Sequence, residues 1–261
     1  MINLGDSTES IRRNSDSFGV TYMSKLYMVA TPIGNLEDIT MRALRILKEV
    51  DVVACEDTRH TRNLLNHFAI KTRTIACHAK NEEQSAKGII MLMEEDKDIA
   101  YVSDAGTPGI SDPGTRLVNT VRDAGFAVIP IPGASALAAI CSVAGYTGST
   151  IVFDGFLSPK SGKRKNRLQV LLERNEAFVL YESPFRIVKL LGALADLDPE
   201  RKVLVGRELT KMYEEIVEDT ALAVYENFLQ RQSIKGEFVV LVSPVDKKKK
   251  PDNSSDGEYS R

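Results

Sequence analysis

Four short apolar runs in the first half of the chain, residues 26–30, 51–55, 98–102 and 127–131, are separated by helix-length segments, and each ends in a polar or glycine- and proline-bearing stretch. Runs this short and this apolar suit strands buried on both faces, and strands alternating with helices pair in parallel through right-handed crossovers. A helix is expected over 38–49, with Met41, Leu44, Ile46 and Leu47 on its apolar side, and others over 63–68 and 134–144. After residue 150 a second set begins, with strands expected at 151–156, 177–181, 202–206 and 237–242 and a helix over 184–195. The fold class is therefore α/β, as two α/β domains over 25–133 and 134–244 with a ligand cleft between them. Residues 1–24 and 245–261 carry little apolar periodicity and read as polar, disordered extensions, the second opening with a lysine run.

Function is expected in the loops. Segments 31–35, 56–61, 103–114 and 132–136 each leave the carboxyl end of a strand, the edge at which α/β sheets bind ligands. The longest reads Ser-Asp-Ala-Gly-Thr-Pro-Gly-Ile-Ser-Asp-Pro-Gly from Ser103 to Gly114. Gly106, Gly109 and Gly114 let backbone approach a ligand closely, and Asp104 and Asp112 offer acceptors for hydroxyls or amines. The competing reading is a turn-rich connector, but a loop this long and constrained is more often a binding loop. The glycine patterns of dinucleotide folds and P-loops are missing.

The formal net charge of −2 gives no global field for a polyanion, so any RNA contact has to be a local patch. Cys55, Cys77 and Cys141 form no Cys-x-x-Cys pair, and His60, His67 and His78 lack ligand spacing, which points to a reducing, cytoplasmic setting and no metal. Residues 124–153 are uncharged, but Pro130, Pro132 and Gly133, then Gly145, Thr147 and Gly148, break the stretch. Its helical part spans ~16 Å at 1.5 Å per residue, about half of a bilayer core. No membrane is implied.

Several motifs in the same order mark a known family: Val-Ala-Thr-Pro-Ile-Gly-Asn-Leu-Glu-Asp-Ile-Thr from Val29, Cys-Glu-Asp-Thr-Arg-His-Thr from Cys55, and the 103–114 loop. Pro-Ile-Pro-Gly-Ala-Ser-Ala from Pro130 and Tyr-Glu-Ser-Pro from Tyr181 extend the match. Across residues 25–243 the chain resembles the small-subunit ribosomal RNA methyltransferases I, within the tetrapyrrole-methylase superfamily of S-adenosylmethionine-dependent enzymes. The resemblance implies a two-domain homodimer that holds S-adenosylmethionine in the interdomain cleft. It also implies 2′-O-methylation of a cytidine in the decoding region of 16S ribosomal RNA. By the same resemblance Pro32, Asp104, Ala105, Gly106, Pro108, Ile110, Ser135 and Ala136 hold the cofactor.

Such a transfer needs alignment of nucleophile, methyl and leaving sulfur, and a group to take the hydroxyl proton. Asp57, Asp104, Glu182 and Glu208 follow expected strands and are candidates for the base; equally, Asp57 suits a helix cap, Asp104 the cofactor, and Glu182 and Glu208 pairing with Arg186 and Lys211. Two basic clusters are candidates for RNA: Lys160, Lys163, Arg164, Lys165 and Arg167 after the first strand of the second set, and Arg59, His60 and Arg62 at a helix start, where cations oppose the dipole. A methylase of porphyrin-like acids and a non-catalytic, cofactor-sensing RNA-binding protein are the rival readings.

Overall fold

The structure, a computed structural model, describes residues 24–77, 82–111, 114–145 and 149–245. The readings of residues 1–23 and 246–261, of His78 and Asp112, and of the break at Thr147 and Gly148 lie outside the described residues.

Strands β1 (Lys25–Val29), β2 (Val52–Cys55), β3 (Arg73–Ala76), β4 (Ile99–Val102) and β5 (Ala127–Ile131) form one sheet in the order β3-β2-β4-β1-β5. Every neighbouring pair is parallel. Side chains alternate between its faces as the pleat requires. Val53, Cys55, Ala100 and Val102 meet Ala43 and Leu47 of α1 (Met41–Glu49) and Leu65 of α2 (Thr58–His67). Val52, Ala54, Ile99 and Tyr101 meet Ile89 and Met93 of α3 (Glu82–Glu94) and Leu117 and Val121 of α4 (Thr115–Asp123). Each such fully buried aliphatic contributes roughly 1.5–3 kcal/mol of transfer free energy.

The second sheet is built from β6 (Ile151–Phe156), β7 (Ala177–Glu182), β8 (Lys202–Arg207), β9 (Glu215–Thr220) and β10 (Phe238–Val242), in the order β6-β7-β10-β8-β9. Here β6 and β7 are parallel, and the other three pairs are antiparallel. The last strand inserts between β7 and β8, so residues 156, 182, 207 and 238 share one sheet edge. Helices α6 (Ser161–Glu173), α7 (Ile187–Leu197) and α8 (Ala221–Leu229) cover one face. The opposite face, Val179, Leu204, Val239 and Leu241, receives Ile140 of α5 (Ala136–Val143). Although α5 follows β5 in the chain, it packs on the second sheet, and Ile33 from the loop after β1 joins the same cluster.

Several boundaries depart from expectation. The helix expected from residue 38 starts at Met41, because the Thr40 side chain caps it by accepting the Ala43 N–H at 3.0 Å. Leu36–Asp38 forms a separate 3-10 turn. Met41, expected on the apolar side, is 82% exposed at the first helical position, and the buried stripe is Ala43, Ile46 and Leu47. The helix expected over 63–68 begins at Thr58, capped by Asp57, and that expected from 184 begins at Ile187. The unexpected strands β3 and β9 are both sheet edges, and β9 carries Glu215, Glu218 and Asp219, the charge that protects an exposed edge.

Candidate active site

Parallel pairing sends the loops after β1, β2, β4 and β5 to one edge, where backbone hydrogen bonds tie them together. Thr31 and Gly106 exchange N–H···O bonds of 2.9 and 3.0 Å. The Thr31 hydroxyl donates to the Ser103 carbonyl at 3.3 Å, and the Thr107 hydroxyl to the Ala134 carbonyl at 3.1 Å. The Asp57 N–H donates to Asp104 Oδ1 at 3.2 Å. Gly106 sits at φ +77°, and a Cβ there would lie 3.3 Å from Ile33 Cγ2. Its conformation favours glycine, and a Cβ would press on Ile33.

Between this edge and the second sheet lies a cavity of about 380 Å³, within the range of about 300–1,000 Å³ common for small-molecule sites. Of the residues expected at a cofactor, Ala105, Gly106, Ile110, Ser135 and Ala136 line it. Pro32, Asp104 and Pro108 do not: Pro32 is half-buried beside it, Asp104 is exposed and holds the Asp57 N–H, and Pro108 is buried against a separate hollow with Met28 and Gly114. The opposite wall includes Glu182, a sequence candidate for the base, together with Phe156, Tyr181, Leu209, Lys211, Glu237 and Val239, which were not expected at a site. Its one legible signal was the Tyr-Glu-Ser-Pro segment at a strand end.

Tyr181 joins the two halves. Its ring packs edge-on against Phe153 and Phe156, with centroids 4.9 and 5.8 Å away. Its hydroxyl accepts the Leu137 N–H at 3.0 Å, satisfying a donor in the first turn of α5, where Ser135 makes no side-chain cap.

The four candidates for the base all have other partners, Asp104 through the Asp57 N–H. Asp57 caps α2, accepting the Arg59 N–H at 2.8 Å and pairing with its guanidinium at 3.1 Å, and these bonds hold its carboxyl at about 2. The Glu182 side chain, 1% exposed, pairs with Arg186 at 2.7 Å and accepts the Ser183 N–H at 2.8 Å. Glu208 pairs with Lys211 at 2.9 Å; burial raises its pKa, but that bond and the Glu237 N–H outweigh burial and lower it. The Asp57 and Glu208 carboxyls, both lowered by their partners, are weak proton acceptors.

The basic clusters also differ from expectation. The spacing of α6 places Arg164 on the same face as Leu168, Leu171 and Leu172, so it is buried at 6% exposure, its Nε without a hydrogen-bond partner. Arg167 is held by Asp154 through both carboxylate oxygens, with Nε at 2.8 Å from Oδ2. Lys160, Lys163 and Lys165 remain exposed. In the other cluster Arg59 is paired with Asp57, Arg62 donates to the Thr74 hydroxyl at 3.3 Å, and His60 is exposed. Among the described residues there is no group of three or more His, Cys, Asp or Glu able to hold a metal, and no helix long and apolar enough to cross a membrane.

The model of the family of tetrapyrrole (corrin/porphyrin) methylases matches residues 25–224. The chain belongs to the tetrapyrrole methylase family. Its curated relatives include the ribosomal RNA small subunit methyltransferase I of Mesorhizobium japonicum, 44% identical over 224 residues that cover 85% of this chain and 76% of the relative. That of Leptospira biflexa is 42% identical over 230 residues, 88% of this chain and 95% of the relative. The fold is that of uroporphyrin-III C-methyltransferase from Thermus thermophilus, solved in complex with S-adenosyl homocysteine, with a TM-score of 0.61 at 20% identity over 84% of this chain and 97% of that one. For a tetrapyrrole methylase, a cavity walled by both sheets is the place to look for chemistry.

Proposed function

We propose that this methylase transfers the methyl group of S-adenosylmethionine to the 2′-hydroxyl of a cytidine in the decoding region of 16S ribosomal RNA, in the cytoplasm and as a homodimer. The observation that carries the reading is the cavity at the joined loop edge, in a chain 44% identical to a relative named for small-subunit ribosomal RNA. The cavity fits the cofactor in size and in chemistry. Gly106 leaves its backbone open to a ligand, Ile110, Leu209 and Val239 supply apolar wall, and Ser135 and Ala136 stand at the amino end of α5, where a carboxylate is favoured.

S-adenosylmethionine supplies an activated methyl on a sulfonium whose charge is lost as the methyl leaves. Ala105, Gly106, Ile110, Ser135 and Ala136 would hold it. Pro32, Asp104 and Pro108 act one step back, by shaping the loops that carry those residues. What the chain contributes is chiefly orientation and the exclusion of water, and positioning is worth several kcal/mol in such a transfer. Lys160, Lys163 and Lys165, with Arg59, His60 and Arg62, form the RNA-facing surface, while Arg164 and Arg167 fix α6 beneath it. We place the domain boundary at 133/134, because α5 packs on the second sheet.

The test offers radiolabelled S-adenosylmethionine with intact small subunits, naked ribosomal RNA and a tetrapyrrole in parallel. Label is expected in RNA, on the ribose of one cytidine. Label in the tetrapyrrole, or in none of the three, overturns the proposal.

A further inference from the structure

The loop 208–214, which joins β8 to β9, is built at unusual local cost. Glu208 and Thr210 sit at φ +50° and +68°, the left-handed region that favours glycine, and Thr210 is β-branched. The Thr210 hydroxyl is buried without a partner. The loop leans on Gly34 of the first half, where a Cβ would strike Lys211 Cγ and come within 2.9 Å of the Thr210 hydroxyl. Gly236, at φ +98°, is equally constrained, since its Cβ would lie 2.5 Å from Glu208 Cγ. A connection between antiparallel strands needs none of this, and the strained residues flank Leu209 and Lys211, which line the cavity; strain of this kind clusters at functional sites.

The outcome of these constraints is one placed ammonium group. Lys211 Nζ donates to Glu208 Oε1 and to Glu237 Oε2, each at 2.9 Å, and lines the cavity beside Glu237. Two of its three N–H donors are used, and so is one oxygen of Glu237. The Lys211 side chain is 29% exposed and that of Glu237 79%, which puts the pair at the mouth, where a ribose on a large RNA has to enter.

We propose that Lys211 and Glu237 seat the acceptor hydroxyl: Lys211 positions its oxygen with the third N–H, and Glu237 is the base that takes its proton. The inference rests on the methyl-transfer reading above. The oxygen lone pair forms the new O–CH₃ bond, and the S–CH₃ bond breaks with its electron pair going to sulfur, which becomes a neutral thioether. The hydroxyl proton passes to the free Glu237 oxygen and from its exposed side to solvent.

The test measures wild type, Glu237→Gln, Glu237→Asp, Glu237→Ala and Lys211→Met, each first shown to unfold cooperatively and to bind S-adenosylmethionine. Wild type has to methylate the RNA; failure there counts against the proposed function rather than against this pair. Glu237→Gln is expected to slow single-turnover transfer about 100-fold or more and to abolish the fall in rate at low pH. Glu237→Asp recovers part of the rate. A second readout needs no turnover: without cofactor, wild type binds the RNA target about tenfold tighter than the same target with one 2′-deoxycytidine, and Glu237→Ala and Lys211→Met lose that preference. Glu237→Gln with wild-type rate and pH profile, or an undiminished preference in Glu237→Ala, overturns the assignment.

Discussion

Replacing Gly106 by Val tests whether the loop after β4 forms the cofactor wall. Gly106 has φ +77°, a region that costs an L-residue about 1–2 kcal/mol. Its Cβ would stand 3.3 Å from Ile33 Cγ2, so the added branch overpacks a neighbour that also lines the cavity, at about 1–3 kcal/mol. The sum is about 2–5 kcal/mol, and wherever the chain relieves it by shifting the loop, the cavity wall shifts as well. Even the lower bound, expressed wholly in binding, weakens affinity about 30-fold. Gly109 provides the control. It has nearly the same backbone, φ +82°, but nothing lies within 4 Å of its Cβ and it does not line the cavity. Gly109→Val is therefore expected to cost only the backbone part, about 1–2 kcal/mol, with cofactor affinity unchanged. Urea unfolding at constant m-value gives the stabilities, and calorimetric titration with S-adenosylmethionine gives the affinities. If the two variants prove equal in both measurements, the contact with Ile33 and the place of this loop in the site are both wrong.

Three further outcomes follow from the same geometry. Lys163→Gln with Lys165→Gln should weaken RNA binding and lower its salt slope by about 0.7–0.9 for each phosphate that is no longer neutralised, whereas Arg164→Met, at a buried position, should leave the slope unchanged, as gel-shift titrations across a salt series will show. Asp57 has a folded pKa of about 2 against 3.8 for the free group, so its ionised cap stabilises fully above pH 3.8 and the benefit disappears as the pH falls through about 2; the unfolding midpoints of wild type and Asp57→Asn should converge over that window and stay apart above it. Gly88 lies exposed within α3 with nothing within 4 Å of its Cβ, so Gly88→Ala should raise stability by about 0.5–1 kcal/mol in the same urea assay.

What could be read from the chain was what adjacent residues settle among themselves. The strand Ala127–Ile131 and the loop that follows it are written in one stretch of sequence, as are the glycines of 103–114. A strand, a breaking loop and a helix in succession already imply the parallel sheet, and hence the shared edge at which Thr31, Asp57, Gly106 and Ala134 meet. Family motifs lay on those same stretches. Amphipathic period alone misassigned Met41, because a first-turn residue has no preceding turn to pack on, and it gave no weight to the capping hydroxyl of Thr40.

The sequence by itself determined the α/β class, the loops after β1, β4 and β5 that line the cavity, and the family, since each rests on local chain geometry or on contiguous motifs. Only the tertiary structure decided that β10 enters between β7 and β8, and so that Glu237 stands beside Lys211 across 26 residues. It also decided that Arg164 turns inward with the leucines of α6 and that Arg167 is held by Asp154. Antiparallel partners and ion pairs are chosen among residues far apart in the chain, by which apolar faces close on one another and which charges are left together at the edge. That choice is made by the packing of the whole molecule.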